Sequence, residues 1–340
     1  MNNVTIAVDM NSGDIGLPAT LPAVLRAARK YNNLNLILVG RDEDIRSQVP
    51  KELQDRISIK HASQVVEMTD NPVKALRSKK DSSMRVAIDL VKDSMADICV
   101  SSGNTGALMA TAHTILKTLP SVDRPAILGV FPDFNGNDTY ALDLGANVTA
   151  TSDNLFQFAL LAAAVVDKTS VRKPKVALLN IGQEDIKGTP AIKEAAHMLN
   201  GCDTIDFVGY IESDKLLYAD VDIIVCDGFS GNVMLKSYEG MVKILFDKLL
   251  RSIKKRPITG FILKKYLKNL IKDTFSEYRP DKKNGAIFIG LNGLVVKSHG
   301  NAAEDAFLNS LELAYKTAKN FCLNSYSDKL GNYFKTKVVA

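Results

Sequence analysis

The 340-residue sequence predicts an α/β fold, a mainly parallel β-sheet covered by helices on both faces. Three observations carry that expectation. Short β-favouring runs alternate with windows of helical periodicity, most runs stop at Gly, Asn, Asp or Ser, and the chain is long enough to bury one large core. In order, Val4 to Asp9 is a β-branched run closed by an acid, and Ala19 to Tyr31 brings apolar residues to one helical face. Leu36 to Gly40 is an unbroken aliphatic run, the pattern of a strand buried on both sides. Ile57 to Lys60 is a shorter strand and Met84 to Lys92 an amphipathic helix, followed by strands at Ile98 to Ser101, Ile127 to Phe131 and Tyr140 to Leu144. Leu155 to Asp167 reads as a helix, Val176 to Ile181 as a strand and Ala191 to Leu199 as a helix. Strands at Ile205 to Val208, Ile223 to Cys226 and Ala286 to Ile289 complete the alternation.

Composition narrows the function classes. Apolar residues make up 46% and charged residues 24%, which excludes collagen-like and globally disordered chains. Cys99, Cys202, Cys226 and Cys322 are far apart with no C-x-x-C, so the expected home is a reducing cytoplasm and no zinc site is expected. Cys226 closes an apolar strand and reads as a buried core residue rather than a nucleophile. The N-terminus lacks a basic segment followed by an apolar one, so no signal peptide is expected. The longest apolar stretch, Leu155 to Val166, falls short of the ~20 residues of a membrane span. The G-x-G-x-x-G, G-x-x-x-x-G-K-S/T, H-E-x-x-H and G-x-S-x-G signatures are missing, which counts against dinucleotide enzymes, P-loop NTPases, zincins and typical serine hydrolases.

Ligands in such sheets gather beyond the carboxyl ends of strands, so the loops there are informative. Ser101-Ser102-Gly103-Asn104-Thr105-Gly106 and Cys226-Asp227-Gly228-Phe229-Ser230-Gly231-Asn232 each run from a strand through a glycine turn into a helix. Such turns let backbone N–H groups meet an anion. With the loops at Asp143 to Asn147 and Ile181 to Gly188, they suggest one shared anion pocket. Together with Lys80 to Ala87, Leu179 to Glu184, Lys187-Gly188 and Lys297-Ser298-His299-Gly300, these segments resemble, in order and over about residues 4 to 305, the bacterial phosphate acyltransferases. One loop departs: where the family reads like D-A-M-G-G-D, this chain has Asp9-Met10-Asn11-Ser12-Gly13-Asp14, and a Ser12 held at positive φ would be strained. The resemblance implies a large three-layer α/β/α sandwich, similar to the phosphotransacetylase and isopropylmalate dehydrogenase-like folds. A single acyltransferase domain is expected over residues 1–340.

The implied activity is transfer of a long-chain fatty acyl group from acyl carrier protein to inorganic phosphate, giving acyl phosphate for phospholipid synthesis. Phosphate needs no protein nucleophile, so the protein must bind anions and hold them in line. Ser102, Gly103, Asn104 and Thr105, with Asn232 from the equivalent loop, are the expected phosphate donors. Lys187 and Arg85 are expected to supply positive charge, and His299 to orient phosphate or protonate the departing sulfur. Asp9, Asp14, Asp143, Asn147, Asn180, Glu184 and Asp227 are expected around the pocket. Asp143, Asp227 and Glu184 could also be read as metal ligands, but no D-x-x-x-D supports this, and the resemblance implies neither metal nor cofactor.

The formal charge of +5 has one address. Nine of the 43 basic residues fall between Lys248 and Lys272, a stretch without an acid, leaving 34 basic against 38 acidic residues elsewhere. That concentration points away from nucleic acid. Residues 241–275 read as an amphipathic helical hairpin whose tip, Ile258, Phe261 and Ile262, enters a membrane surface while lysines meet anionic head groups. The same hairpin, or Lys79 and Lys80, would suit the acidic acyl carrier protein, and its apolar face a second subunit. The resemblance implies a homodimer at the cytoplasmic face of the cell membrane, beside the membrane acyltransferase that consumes acyl phosphate. Alternatives are a phosphotransacetylase using short acyl-CoA, a metal-dependent hydroxyacid dehydrogenase, and a non-catalytic membrane-associated scaffold.

Overall fold

The computed structural model describes residues 3–166, 172–218, 220–255, 261–274, 278, 284–320 and 323–335. The chain opens β1 (Val4–Asp9), α1 (Leu17–Lys30), β2 (Leu34–Gly40), α2 (Asp42–Ile45), β3 (Ile57–His61), α3 (Pro72–Ser78) and α4 (Ser83–Lys92). Next come β4 (Ile98–Ser101), α5 (Thr105–Leu116), β5 (Ala126–Pro132), β6 (Asp138–Leu142), α6 (Ser152–Val166), β7 (Lys175–Leu179) and α7 (Pro190–Asn200). It closes with β8 (Asp206–Ile211), β9 (Ile223–Val225), α8 (Gly228–Lys255), α9 (Phe261–Thr274), β10 (Ala286–Ile289), β11 (Leu294–Lys297), α10 (Glu304–Asn320) and α11 (Leu323–Lys335).

The strands form one sheet in the order β3-β2-β1-β4-β11-β10-β5-β6-β9-β7-β8. Pairing is parallel except where β10 meets β11 and β5, and where β5 meets β6. The sheet is therefore mainly parallel, as the sequence predicts, with a central antiparallel seam that the alternation of elements did not reveal. Strand β11, absent from the sequence reading, pairs parallel with β4 and sets Lys297 beside Ser101.

Side chains alternate across each strand, and the two faces bury different helices. One face carries Ala7, Cys99, Val295, Phe288, Ile127, Ala141, Ala177 and Ile224 under α3, α4, α5 and the start of α8. The other packs against α1 and α10 on one half and against α6, α7 and α11 on the other half. This is a three-layer α/β/α sandwich. Helix starts follow local chemistry: Asn71, Ser82, Asn104 and Thr189 cap α3, α4, α5 and α7 by accepting backbone N–H bonds two or three residues on.

Helices α8 and α9 form the basic hairpin, with Met241, Ile244, Leu245, Tyr266 and Leu270 exposed. Of the tip residues, Ile258 lies outside the described residues, and Phe261 and Ile262 belong to the first turn of α9 with side chains outside the described set. Among the described residues no helix is long and apolar enough to cross a membrane.

Candidate active site

A cavity of about 320 Å³ opens over the central antiparallel strands, on the face that carries α5 and α8. Small residues make its floor. Gly129 on β5 and Ala286 on β10 line it, and Lys297 pairs directly with Ala286 across the β10–β11 ladder. A Cβ at Gly129 would collide with the Leu144 side chain, so the absence of a side chain there keeps the floor open. Ile127, Val130, Phe131, Leu144, Leu235 and Tyr238 supply apolar wall, and Phe131 and Tyr238 meet edge to face at 5.4 Å. Thr105, Asn232, Lys236, Glu239, Lys297 and His299 supply polar wall.

The glycine turn after β4 is held from below. Ser101 Oγ donates to Asp9 Oδ2 at 2.7 Å and accepts the Gly103 N–H at 3.1 Å. Ser12 Oγ accepts the Ser102 N–H at 3.0 Å, donates to the Asp9 carbonyl at 2.7 Å and lies 2.9 Å from Ser102 Oγ. The strain expected at Ser12 is not there, because the left-handed residue is Gly13, at φ +79°, where a Cβ would sit 2.7 Å from the Gly300 carbonyl. Serine in place of glycine adds a buried strut beneath the turn.

Burial pushes the Asp9 carboxyl up to about 6 despite the lowering influence of the Ser83 and Ser101 hydroxyls and the charge of Lys297. Its Oδ1 is buried without a hydrogen-bond partner among the described residues. Burial, reinforced by the nearby Lys236 cation, lowers the Lys297 amine to about 8, against the pull of Asp14 and Asp9. Its Nζ donates to the Ser298 carbonyl. Opposite, Glu239 takes His299 Nε2 on Oε1 at 3.0 Å and Lys236 Nζ on Oε2 at 2.8 Å. Burial alone would raise the Glu239 carboxyl, but these two hydrogen bonds outweigh it and hold the group below the ordinary glutamate range.

Thr105, Asn232 and His299 of the sequence-predicted site meet in this cavity. Ser102 and Gly103 lie in the turn just before Thr105, and Asn104 is committed elsewhere: its Oδ1 caps α5 and its Nδ2 donates to the Met68 and Asp70 carbonyls. Asp143 does not present a free carboxylate either. It accepts N–H bonds from Ile127, Gly145, Ala146 and Asn147, and so shapes its own loop, while Asn147 Nδ2 also bonds the Pro125 carbonyl. Asp227 binds the Ser230 N–H and hydroxyl at the start of α8. Asp14 donates its N–H to the Gly300 carbonyl, next to His299.

Lys187 does not line the cavity. It stands on the exposed loop after β7, paired with Glu184 at 2.8 Å, while Asn180 Nδ2 reaches the Lys187 carbonyl at 3.3 Å. Arg85 sits in the first turn of α4, 3.6 Å from Asp89, also outside the cavity lining. Lys79, considered for docking, is held by Asp70 and the Val65 carbonyl. Cys226 is buried, and burial pushes its thiol well above the ordinary range.

The cavity adds Lys297, Lys236 and Glu239 to the site residues expected from the sequence. Lys297 had a signal, since a lone lysine closing the run Leu294-Val295-Val296 has no reason to end a buried strand. Lys236 and Glu239 had none, because an i,i+3 pair on an amphipathic helix reads as solvated surface. Among the described residues no group of three or more His, Cys, Asp or Glu side chains is arranged to hold a metal ion.

A sandwich with this topology is shared with phosphotransacetylases. The chain superposes on the phosphotransacetylase of Streptococcus pyogenes with a TM-score of 0.59 at 18% identity, covering 92% of this chain and 94% of that one. For the EutD phosphotransacetylase of Staphylococcus aureus the values are 0.57 and 16%, covering 94% of each. The family model described as fatty acid synthesis protein matches residues 4–324, and the chain belongs to that family. Its sequence is 45% identical over 336 residues to the phosphate acyltransferase of Shewanella sp. (strain ANA-3), covering 97% of each chain. It is equally 45% identical over 340 residues to that of Legionella pneumophila (strain Corby), covering 98% of each. The chain is an acyltransferase of the phosphate acyltransferase family.

Proposed function

We propose that this protein transfers a long-chain fatty acyl group from its thioester with acyl carrier protein to inorganic phosphate, giving acyl phosphate for phospholipid synthesis. The observation that carries the reading is one cavity with aliphatic and aromatic wall beside Lys297, Lys236, His299 and the first residue of α5. Phosphate would lie among the Thr105 N-terminus of α5, Asn232 and the lysines, where helix N–H groups and fixed charge favour an anion. The thioester carbonyl would sit over the Gly129 and Ala286 floor, with its alkyl chain on the apolar wall. Phosphate is already nucleophilic, so alignment and charge stabilisation supply most of the rate.

Purified protein mixed with palmitoyl acyl carrier protein, phosphate and hydroxylamine tests the reading: phosphate-dependent hydroxamate is expected, and its absence overturns it. Acetyl-CoA accepted in preference to the long-chain donor would select the short-chain phosphotransacetylase instead. In the same assay Lys297→Met is expected to lower kcat/KM by orders of magnitude. Lys187→Ala separates the cavity from the exposed loop: a loss under threefold, about 0.7 kcal/mol, removes Lys187 from the chemistry, and a larger one returns it to the site.

The α8–α9 hairpin extends the proposal to location and assembly. Its exposed Met241, Ile244 and Leu245 suit a second copy of the chain, and its lysines suit the anionic cytoplasmic face of the cell membrane near the membrane acyltransferase that consumes acyl phosphate.

A further inference from the structure

We propose that Glu239 is a positioning residue, holding the His299 ring by Nε2–H so that Nδ1 takes the proton of the attacking phosphate and passes it to the departing sulfur. The inference rests on the acyl-transfer reading above and assigns a role to a carboxylate outside every sequence motif. Five contacts support it. His299 lines the cavity and its Nε2 lies 3.0 Å from Glu239 Oε1, so Nδ1 is the ring nitrogen left to meet substrate. The His299 backbone is fixed by its N–H bond to Asn284 Oδ1 at 3.1 Å, and Asn284 is itself buried, with Nδ2 donating at 2.8 Å to both Ser298 Oγ and the Ala306 carbonyl. Lys236 holds the second Glu239 oxygen at 2.8 Å, so the carboxylate is clamped between the two.

Helix α8 carries both Asn232 and Glu239 to the cavity, so a phosphate at Asn232 and the ring at Glu239 are positioned by the same rigid element.

The proton balance requires one relay group. A hydrogen phosphate dianion attacks the thioester carbonyl, the C–O bond forms, the C–S bond breaks, and the phosphate proton ends on sulfur as thiol. No net acid or base is consumed, and a single imidazole nitrogen that accepts and then donates completes the step. Between the two transfers the ring is an imidazolium, and a carboxylate on its far nitrogen stabilises that charge, the logic of a carboxylate-oriented histidine with phosphate in place of a protein nucleophile.

Full-length Glu239→Gln keeps the shape and removes the charge. Expected are a fall in kcat of about a hundredfold, the low end for a proton-transfer group, and a phosphate KM within threefold of wild type. Histidine ¹⁵N spectra should report Nε2–H at His299 in wild type and a mixture in the variant, and Glu239→Asp should recover part of kcat. A variant with kcat within threefold and an unchanged tautomer overturns the role of Glu239. Should Glu239→Gln fail to fold, wild-type spectra showing Nδ1–H at His299 overturn it equally. If wild type forms no acyl phosphate, the acyl-transfer reading fails separately, since the tautomer is read without turnover.

Discussion

Lys297 carries a charge that its surroundings oppose, and its titration should be visible in both binding and stability. With the amine lowered to about 8, it is cationic below that pH and neutral above, so the KM for phosphate is expected to rise as pH passes 8. Lys297→Met should show a high KM and lose that dependence. The stability sign is opposite. Between about 8 and the ordinary lysine value of 10.5 the unfolded chain binds more protons than the folded one, so wild type should gain stability over Lys297→Met across that window in urea titrations. Ser12 offers a second test. Ser12→Ala leaves the buried Ser102 N–H without its acceptor, and a loss of about 1–3 kcal/mol in unfolding free energy is expected.

At the scale of elements, the start of α8 is set by how closely its backbone approaches the loop after β6. A Cβ on Gly231 would overlap the Asp143 carbonyl and lie 2.9 Å from Cys226 Sγ, whereas one on Gly240, further along the same helix, meets nothing within 4 Å. Gly231→Ala should lower the thermal midpoint and reduce activity more than tenfold by displacing Asn232. Gly240→Ala should be neutral or stabilising by up to about 1 kcal/mol, the helix-propensity difference. The outer part of the hairpin obeys different forces. Met241→Glu combined with Leu245→Glu is expected to convert a dimer to a monomer in light scattering if α8 is the subunit contact. Flotation with anionic vesicles, weakened by Ile258→Asp and by high salt, tests the tip as the membrane anchor.

For the whole molecule, the cavity draws on β5, β10, β11, α5 and α8, so an anion seated there ties distant parts of the chain together. Phosphate at a hundred times its Kd should stabilise the fold by about 2.7 kcal/mol, read as a rise in thermal midpoint that chloride at equal ionic strength does not reproduce. The overall architecture was legible because its signals are local. Buried parallel strands are runs of Val, Ile and Leu, helix caps are single Asn, Ser and Thr residues, and glycine turns stand at the strand ends. The seam of β10, β11 and β5 was not legible. Strand β11 spans only Leu294–Lys297, too short for a periodic signal, and antiparallel pairing between β5 and β10, far apart in sequence, leaves no local mark.

The same division runs through the site. Thr105 and Asn232 line the cavity and stand in glycine turns written in adjacent residues, and His299 lines it from a segment that the family resemblance marks. Lys187 and Arg85 are expected from the family resemblance and their charge, and the fold leaves both outside the cavity lining, one ion-paired on an exposed loop and the other on a helix. Lys236, Glu239 and Lys297 became site residues only through tertiary structure, when β11 docked beside β4 and brought His299 against a helix sixty residues earlier in the chain. By itself the sequence determined the layered α/β fold and the glycine turns at its strand ends, since propensity, capping and hydrophobic period act within a few residues. Which charges face the cavity was decided by the folded chain alone, because burial and long-range pairing set both where a cation can stand and how firmly it keeps its proton.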